Sequence, residues 1–346
     1  MRLSKRLGMI ISSSILMAIF ASAQSPTLVH RQKYVMGTVF EVVAYDDSLD
    51  RASAAIDEAF QEVTRLDEIM SNYKPQSELS RLNRTAHFQS ETVSPDLYRI
   101  IEESVGYSKA SGGKFDITVA PLVNYWKSVM RGERTPSLSD EQKLRGCTGF
   151  EKIALVPPDH VEFRSACLQI DLGAIGKGYA IDRMANILRS KGVSSALVNA
   201  GGSTLYAIGS PPHKPGWRVN LRDPSGENGR EVLLLNNSVS TSEQTAPDLF
   251  GGGNAGHVID PDSGQPANTA GAVSVIAKTA TASDALSTTL LLLGSARGAT
   301  LIQNTVGTAA IWIAATGKVE SVSSGPHISF LEEKYPALSS QPAQPQ

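Results

Sequence analysis

The feature of this sequence that most constrains its fold is the order in which helical and strand patterns follow one another. Residues 35–45 alternate between apolar and polar and are β-rich, and Ser48 then begins a long amphipathic helix. A second helix begins at Pro95 and ends near Gly112, and strand patterns dominate from Ile153 onward. This order lacks the regular strand–helix–strand repeat of a parallel sheet. It therefore predicts an α+β fold with a mainly antiparallel sheet core and flanking helices, in a single compact unit.

The same patterns place the remaining elements. A helix is expected after the loop at Asp171, ending at Gly192, and a buried helix is expected over residues 283–293. The polar stretches at 72–83 and 131–147 predict irregular segments. Further strands are predicted at 217–222, 272–277 and 309–314.

Both ends of the chain are predicted to lie outside the folded domain. The first 23 residues have the basic start, the apolar stretch and the small residues before Ala23 that are typical of a secretory signal. We expect cleavage near Ala23, a folded domain over 24–335, and a disordered tail over 336–346. A retained membrane anchor is the alternative for the first segment. No lipobox cysteine follows that segment and no other segment is expected to span a membrane, so a soluble periplasmic protein is predicted.

Composition excludes some classes of function and leaves the cysteines open. The formal net charge of −2 and the absence of long basic runs argue against broad nucleic-acid binding. Cys147 and Cys167 are the only cysteines. They form either a disulfide, as an exported protein permits, or two separate thiols, because sequence carries no geometry.

A small-residue loop at residues 171–179 offers the groups that a phosphate needs. Gly173, Gly176 and Gly178 allow close approach of backbone, and Lys177 adds positive charge near a helix start. The spacing matches neither a Walker loop nor a dinucleotide-binding fingerprint. The alternative is a glycine-rich turn that only packs a helix onto a sheet.

Two further segments carry candidate chemistry. Asp284 and Thr288 lie one helical turn apart, so a carboxylate and a hydroxyl share one face, with Ser287 beside them. Such hard oxygens suit Mg²⁺, although an acid at a helix start and a packed threonine explain the pattern equally well. His257 could accept a proton near neutral pH, or could be a structural loop residue.

Aromatic residues near these segments could stack on a flat ring. The candidates are Tyr73, Phe115 and Tyr179, and Asp116 could hydrogen-bond the edge of a polar heterocycle. Core packing is the simpler explanation for Phe115.

In order along the chain, these segments resemble the ApbE family of FAD:protein FMN transferases. The resemblance covers roughly residues 30–315 and rests on seven segments in family order: Met36-Gly37-Thr38; Ser71-Asn72-Tyr73 with residues 77–83; residues 112–116; residues 171–179; Asn199-Ala200-Gly201-Gly202; residues 257–261; and residues 284–288. The family also implies a T-fold-like architecture. The departures are small: Gly176 and Ser283 replace residues often alanine in the family, and Ile117 stands where proline is common.

The resemblance implies a periplasmic, Mg²⁺-dependent enzyme that transfers FMN from FAD to a threonine of a partner protein and releases AMP. The partners implied are membrane redox subunits with an Asp-Gly-x-Thr-like motif. His257 and Asp284 would be catalytic. The residues expected to bind the metal are Ala174 (through its carbonyl), Asp284, Ser287 and Thr288. The residues expected to line the FAD site are Met36, Tyr73, Lys114, Phe115, Asp116, Asp171, Lys177 and Ile259.

Two other functions fit the same residues. Water in place of threonine would make the protein an FAD pyrophosphatase that gives FMN and AMP. A protein without useful turnover would be a periplasmic flavin-binding protein.

Overall fold

A computed structural model describes residues 26–224, 230–244, 258–325 and 330–332. The helices in this part of the chain are α1 (Leu49–Met70), α2 (Glu78–Thr85), α3 (Pro95–Ala110), α4 (Ala120–Met130), α5 (Leu138–Arg145), α6 (Gly176–Ser190) and α7 (Ala280–Gln303). The strands are β1 (Thr27–Val35), β2 (Thr38–Asp46), β3 (Glu91–Thr92), β4 (Ile153–Val156), β5 (His160–Phe163), β6 (Ser195–Ala200), β7 (Thr204–Ile208), β8 (Trp217–Asn220), β9 (Arg230–Leu234), β10 (Ser238–Gln244), β11 (Gly271–Ala277), β12 (Ala309–Ala314), β13 (Val319–Ser323) and β14 (Phe330–Glu332).

The centre of the fold is an eight-stranded sheet in the order β1-β2-β6-β7-β10-β11-β12-β13. Every neighbouring pair in this sheet is antiparallel. Two three-stranded sheets, β14-β9-β8 and β3-β5-β4, accompany it. The predicted α+β class with a mainly antiparallel core is therefore confirmed.

The first hairpin corrects the predicted strand at 35–45. Met36 and Gly37 both have positive φ, at 52° and 73°, and they form the two-residue turn between β1 and β2. Two residues with positive φ match the right-handed twist of the flanking strands. The chain therefore reverses inside the segment predicted as one strand, and β1 precedes the turn.

The long helices follow their sequence signals closely. The hydroxyls of Ser48 and Ser94 accept the backbone N–H of Arg51 and Leu97, which caps α1 and α3 at the positions where helices were predicted to begin. The prediction was wrong for α2, which begins inside the stretch 72–83 that was expected to be irregular, and for α5, which lies wholly inside the stretch 131–147. Both are eight residues long and polar, so they lack a sustained apolar stripe that would reveal them.

The large sheet is covered on both faces. Helices α1, α6 and α7 pack together and against β1, β2, β6, β7, β10 and β11. On the other face, β8 and β9 cover a second apolar cluster that includes Trp217, Val232 and Ile276. Strand β11 is buried along its whole length because it has packing partners on both sides.

Helix α7 corrects one expectation about membrane spans. By length and apolarity, its 24 residues are sufficient to cross a bilayer, so the expectation that no segment besides the signal could span a membrane was wrong. Gly294, with φ 70° and ψ 173°, interrupts the helix. The half before Gly294 packs against the sheet, where Leu286 and Leu290 join Val275 and Trp312. Helix α7 is accordingly a core helix in this fold.

The structure joins the two cysteines. A disulfide links Cys147 to Cys167, whose Cα atoms lie 5.2 Å apart. It fixes the segment after α5 to the chain just ahead of Asp171. Closing a loop of this size stabilises a fold by about 3 kcal/mol through the unfolded state. The predicted signal at 1–23 and the tail at 336–346 lie outside the described residues.

Candidate active site

A cavity of about 620 Å³ opens beside the N-terminal ends of α6 and α7. This volume is within the range of about 300–1,000 Å³ that small-molecule sites occupy. The loop before α6, the first turns of α7, the end of β10 and residues 114–119 all contribute to the lining. Among the residues predicted from the sequence, those that line it are Tyr73, Lys114, Phe115, Asp116, Asp171, Ala174, Lys177, Ile259, Asp284 and Thr288.

The two segments singled out in the sequence meet where α6 crosses α7. The backbone N–H of Gly178 donates to Oδ2 of Asp284 at 2.9 Å, although the two residues are 106 positions apart. A Cβ built on Gly178 would lie 2.3 Å from the carbonyl oxygen of Ala280. Gly178 is therefore required for the helices to approach so closely, and its N–H is redirected to a carboxylate on the neighbouring helix.

The contact is reciprocal. Asp182 on α6 accepts the backbone N–H groups of Ala280 and Thr281, both at 2.8 Å, and the hydroxyl of Thr281 at 2.6 Å. Each helix thus supplies a carboxylate that satisfies free N–H groups near the other helix's N-terminus. Burial raises the pKa of Asp182, and its hydrogen bonds to Thr281 and Ala280 oppose that rise. We call the contacts among Gly178, Asp182, Ala280, Thr281 and Asp284 the helix junction.

Buried hydroxyls support Asp284 from behind. The hydroxyl of Thr204 donates to Oδ1 of Asp284 at 3.3 Å and receives the hydroxyl of Ser240 at 3.2 Å. The hydroxyls of Ser240 and Ser283 are 2.7 Å apart. Thr204 is fully buried, so its hydrogen bonds are shielded from water. These contacts fix the carboxylate plane of Asp284, and no motif in the sequence pointed to Thr204.

Two asparagines hold the Asp171 loop in place, and both belong to the segments on which the family resemblance rests. The side-chain amides of Asn72 and Asn83 donate to the carbonyl of Ile170 at 3.1 and 2.9 Å, and Oδ1 of Asn83 accepts the Ile170 N–H. Oδ1 of Asp171 accepts the N–H of Gly173 at 2.6 Å. Nζ of Lys177 donates to the Gly173 carbonyl at 3.2 Å. The asparagines therefore position the loop, while Asp171 and Lys177 line the cavity.

Lys114 and Asp116 line the cavity but already have protein partners. Nζ of Lys114 lies 2.6 Å from Asp260 and 2.8 Å from Asp262. Burial lowers the pKa of Lys114, but the hydrogen bonds and charges of the two aspartates outweigh it and leave the pKa raised. Burial raises the pKa of Asp116, against hydrogen bonds from Thr118 and Phe150.

In contrast to these buried and hydrogen-bonded groups, Tyr73 and Lys127 form a solvent-accessible part of the cavity lining, which we call the exposed rim. Tyr73 is 80% exposed, and its hydroxyl accepts a hydrogen bond from Nζ of Lys127 at 2.8 Å. The ammonium group also lies 5.2 Å from the centre of the tyrosine ring. Sequence reasoning missed Lys127 and Arg222, which both line the cavity, because isolated cations carry no spacing signal.

Some predicted residues do not line the cavity. Met36 lies in the hairpin turn, where its Cε is 3.7 Å from the position of a Cβ on Gly176. Ser287 is buried, and its hydroxyl bonds to the Asp284 carbonyl and to Ser242. Tyr179 is also buried and donates to Asp96, so it is unavailable to stack on a ligand. His257 lies outside the described residues.

The oxygen atoms available in and beside the helix junction are of the kind that binds a hard divalent cation. Among the described residues, each carboxylate oxygen of Asp284 accepts one hydrogen bond, so each has a further lone pair. Because the Gly178 N–H donates to Asp284, the Ala174 carbonyl, its usual helical partner, accepts no bond within the described residues. Thr288 also lines the cavity, and its hydroxyl lies 3.0 Å from that of Ser242. The described residues contain no cluster of three His, Cys, Asp or Glu side chains, so any ion here would need other oxygen ligands.

Comparison with known proteins shows the family of this chain. The model of the ApbE family matches residues 36–312. The chain belongs to the ApbE family. A relative named FAD:protein FMN transferase from Escherichia coli strain K12 is 31% identical over 239 residues, which cover 66% of this chain and 68% of that protein. Another of the same name, from Treponema pallidum, is 27% identical over 303 residues, covering 82% and 83%.

Solved ApbE structures share the fold. The apo form of the flavinyl transferase ApbE from Pseudomonas stutzeri superposes with a TM-score of 0.75 at 29% identity, covering 87% of this chain and 96% of that one. The flavin transferase ApbE from Vibrio cholerae gives the same TM-score at 25% identity, covering 86% and 98%. The resemblance predicted from the sequence is therefore confirmed at the level of family and fold.

Proposed function

We propose that this ApbE protein transfers the FMN half of FAD to a threonine side chain of a partner protein and releases AMP, in a Mg²⁺-dependent reaction. One observation carries the proposal: the Asp171 loop and the start of α7 line the same cavity, joined through the bond from Gly178 to Asp284. The names of the family's relatives, FAD:protein FMN transferases, support flavin as the substrate.

The chain's own residues suit a charged diphosphate. Lys177 lines the cavity near the N-terminus of α6, where the helix end also favours negative charge. Ala174, Asp284 and Thr288 would hold Mg²⁺ through hard oxygens, with Ser287 supporting Asp284 from behind. A Mg²⁺ ion held by these residues would supply neutralisation of the negative charge on the phosphates. Asp284 is kept in place by Gly178 and Thr204, so the negative group that would meet the ion does not need to reorganise.

The reaction we propose is a substitution at phosphorus. The threonine oxygen forms a bond to the phosphorus of the FMN half, and the bond from that phosphorus to the bridging oxygen of the diphosphate breaks. The bridging oxygen leaves with AMP. We propose that His257 accepts the threonine proton. His257→Ala is then expected to slow transfer and to leave FAD affinity unchanged in a flavin fluorescence titration.

We further propose that the protein acts in the periplasm after cleavage near Ala23. The disulfide between Cys147 and Cys167 supports an oxidising compartment. The proposed acceptors are subunits of membrane redox complexes with an Asp-Gly-x-Thr-like motif.

An intact-mass assay tests the proposal. The protein is incubated with FAD, MgCl₂ and a synthetic peptide containing Asp-Gly-Ala-Thr, and each product is weighed. A peptide that gains the mass of FMN less one water, with AMP in equal amount, supports transfer. Free FMN and AMP with unmodified peptide would instead mean an FAD pyrophosphatase. Unchanged FAD that stays bound would mean a flavin-binding protein, and omission of Mg²⁺ is the control for the metal.

A further inference from the structure

A second cavity lies directly beside the first. It has a volume of about 290 Å³, and we call it the side cleft. It shares Tyr73, Lys127 and Asp171 with the larger cavity, so the exposed rim separates the two. A ligand in the side cleft would therefore reach the flavin cavity by passing Tyr73, the most exposed of these residues.

Two of the side chains that line the side cleft already form hydrogen bonds within the fold. Asn72 and Asn83 line it, but their amides are bonded to each other and to Ile170. Asn124 and Gln169 also line it, and their side-chain amides have no hydrogen-bond partner among the described residues. Each of these two amides offers both a donor and an acceptor. An extended polypeptide presents the same pair of groups at every residue.

The charge of the side cleft favours an anionic ligand. Its charged lining residues are Arg84, Lys127 and Asp171. One carboxylate oxygen of Asp171 is bonded to Gly173. The guanidinium of Arg84 is exposed and donates one N–H to the carbonyl of Pro75 at 3.0 Å. Its remaining N–H groups can pair with a carboxylate in the two-pronged geometry that arginine prefers.

We propose that the side cleft binds the acceptor polypeptide through an extended segment that carries a carboxylate near the modified threonine. Arg84 would bind the carboxylate, and Asn124 and Gln169 would bind the backbone. This inference rests on the proposed function, since it names how the partner of that reaction is recognised. The proposed function assigns the larger cavity to FAD, and the adjoining side cleft is then the place for the second substrate.

Two peptides and three variants test the side cleft. Both peptides have a central threonine. One has aspartate at the neighbouring positions, the other has asparagine there, and they are otherwise identical. The variants are Arg84→Met, which removes the charge and keeps the stem, Asn124→Ala, and the control Arg164→Met. Arg164 is exposed and lines neither cavity. Peptide binding is measured by fluorescence anisotropy, KM by intact mass, and FAD affinity by flavin fluorescence.

The proposal predicts a specific pattern. Arg84→Met should weaken binding of the aspartate peptide and raise its KM by about tenfold, because a charged hydrogen bond is lost. Asn124→Ala should weaken both peptides by about threefold. FAD affinity should be unchanged in every variant, and Arg164→Met should leave peptide binding and KM unchanged.

Three outcomes would overturn it: equal binding of both peptides by the wild type, an unchanged Kd in Arg84→Met, or a matching loss of FAD or AMP affinity in that variant. The last would assign the side cleft to the nucleotide. If the wild type binds the aspartate peptide but never gains FMN on it, the proposed transfer fails while the side cleft still stands on the anisotropy data.

Discussion

The helix junction reaches the cavity through Asp284, and the exposed rim borders the same cavity, but the two regions differ in burial and in how many hydrogen bonds hold them. At the helix junction, Asp284 and Asp182 are held by backbone N–H groups and hydroxyls from distant parts of the chain. At the exposed rim, Tyr73 and Lys127 contact each other in solvent. A rigid, satisfied surface suits a substrate whose charge is always the same, such as a diphosphate. An open surface with spare hydrogen-bonding capacity suits a partner that arrives and leaves.

The largest effect should come from removing the carboxylate of the helix junction. Asp284→Ala is expected to lower Mg²⁺-dependent turnover by about a thousandfold, since several kcal/mol of charge stabilisation would be lost. Asp284→Asn is the matched variant, because it keeps an acceptor for Gly178 and removes the charge. If Asp284→Asn folds normally and remains fully active, the proposed metal role is wrong.

The close helix crossing should be the next most sensitive feature. Gly178→Ala places a methyl group 2.3 Å from the Ala280 carbonyl oxygen, so the helices must separate. We expect a loss of about 3 kcal/mol in the free energy of unfolding, measured in urea. Gly106→Ala in α3 is the control, because a Cβ there meets nothing within 4 Å. That control should be neutral or stabilise by about 0.5–1 kcal/mol; equal effects at the two glycines would contradict the prediction.

Removing the hydroxyl behind Asp284 sharpens the comparison further. Thr204→Val keeps the shape and β-branching of the side chain but deletes its bond to Asp284. We expect Mn²⁺, used as a paramagnetic substitute for Mg²⁺, to bind about tenfold more weakly in an electron paramagnetic resonance titration. Thr204→Ser retains the hydroxyl and should recover most of the affinity. Valine and serine variants with the same affinity would show that the hydroxyl does not position Asp284.

An ion-pair cluster that anchors α6 gives a smaller, pH-dependent effect. Glu62 accepts hydrogen bonds from Arg65 and from Arg183 on α6. Hydrogen bonds from Arg65 lower the pKa of Glu62 against burial, with Arg183 adding to the effect. Because the folded-state pKa is below the ordinary 4.5, the stabilisation is present above that pH and is lost as the pH falls through the folded-state value.

Glu62→Gln should therefore cost about 1 kcal/mol at pH 7, and the difference should shrink below pH 4.5. Urea unfolding at several pH values measures this. Glu58→Gln, which disrupts an exposed pair with Lys191, is the control and should change stability by less than about 0.5 kcal/mol. A pH-independent difference for Glu62→Gln would contradict the electrostatic explanation.

The smallest effect is expected at the exposed rim. Tyr73→Phe removes the hydroxyl that accepts from Lys127 and keeps the ring. Because the contact is exposed, the free energy of unfolding should change by less than about 0.5 kcal/mol. A thermal shift comparable to that of Gly178→Ala would mean that the rim is as tightly built as the helix junction.

Elements of the fold could be predicted from the sequence where their signal lies within a few neighbouring residues, and were missed where the local pattern resembles another structure. The capped helices α1 and α3 carry their start signals within a few residues, and both were predicted. The turn at Met36 and Gly37 was missed because methionine rarely adopts positive φ, so the pattern resembled a continuous strand. The polar helix α2 lies in a stretch whose composition is that of a loop.

The candidate site shows the same limit. Asp171, Lys177 and Asp284 stood out through short motifs, whereas Thr204 and Lys127 did not. Their importance depends on contacts with residues far away in the chain, and no local spacing encodes such contacts. Lys114 was predicted as a ligand-binding cation, and the sequence gave no sign of its ion pairs with Asp260 and Asp262.

The mutual capping of α6 and α7 has a consequence for how the protein is made. Before the ribosome has synthesised α7, α6 already exists, but Asp284, the carboxylate that accepts its Gly178 N–H, does not. The cavity is completed only when the later helix, α7, packs against α6 and joins two residues that are 106 positions apart. A chain truncated before α7 would therefore lack both Asp284 and the part of the cavity wall that α7 supplies.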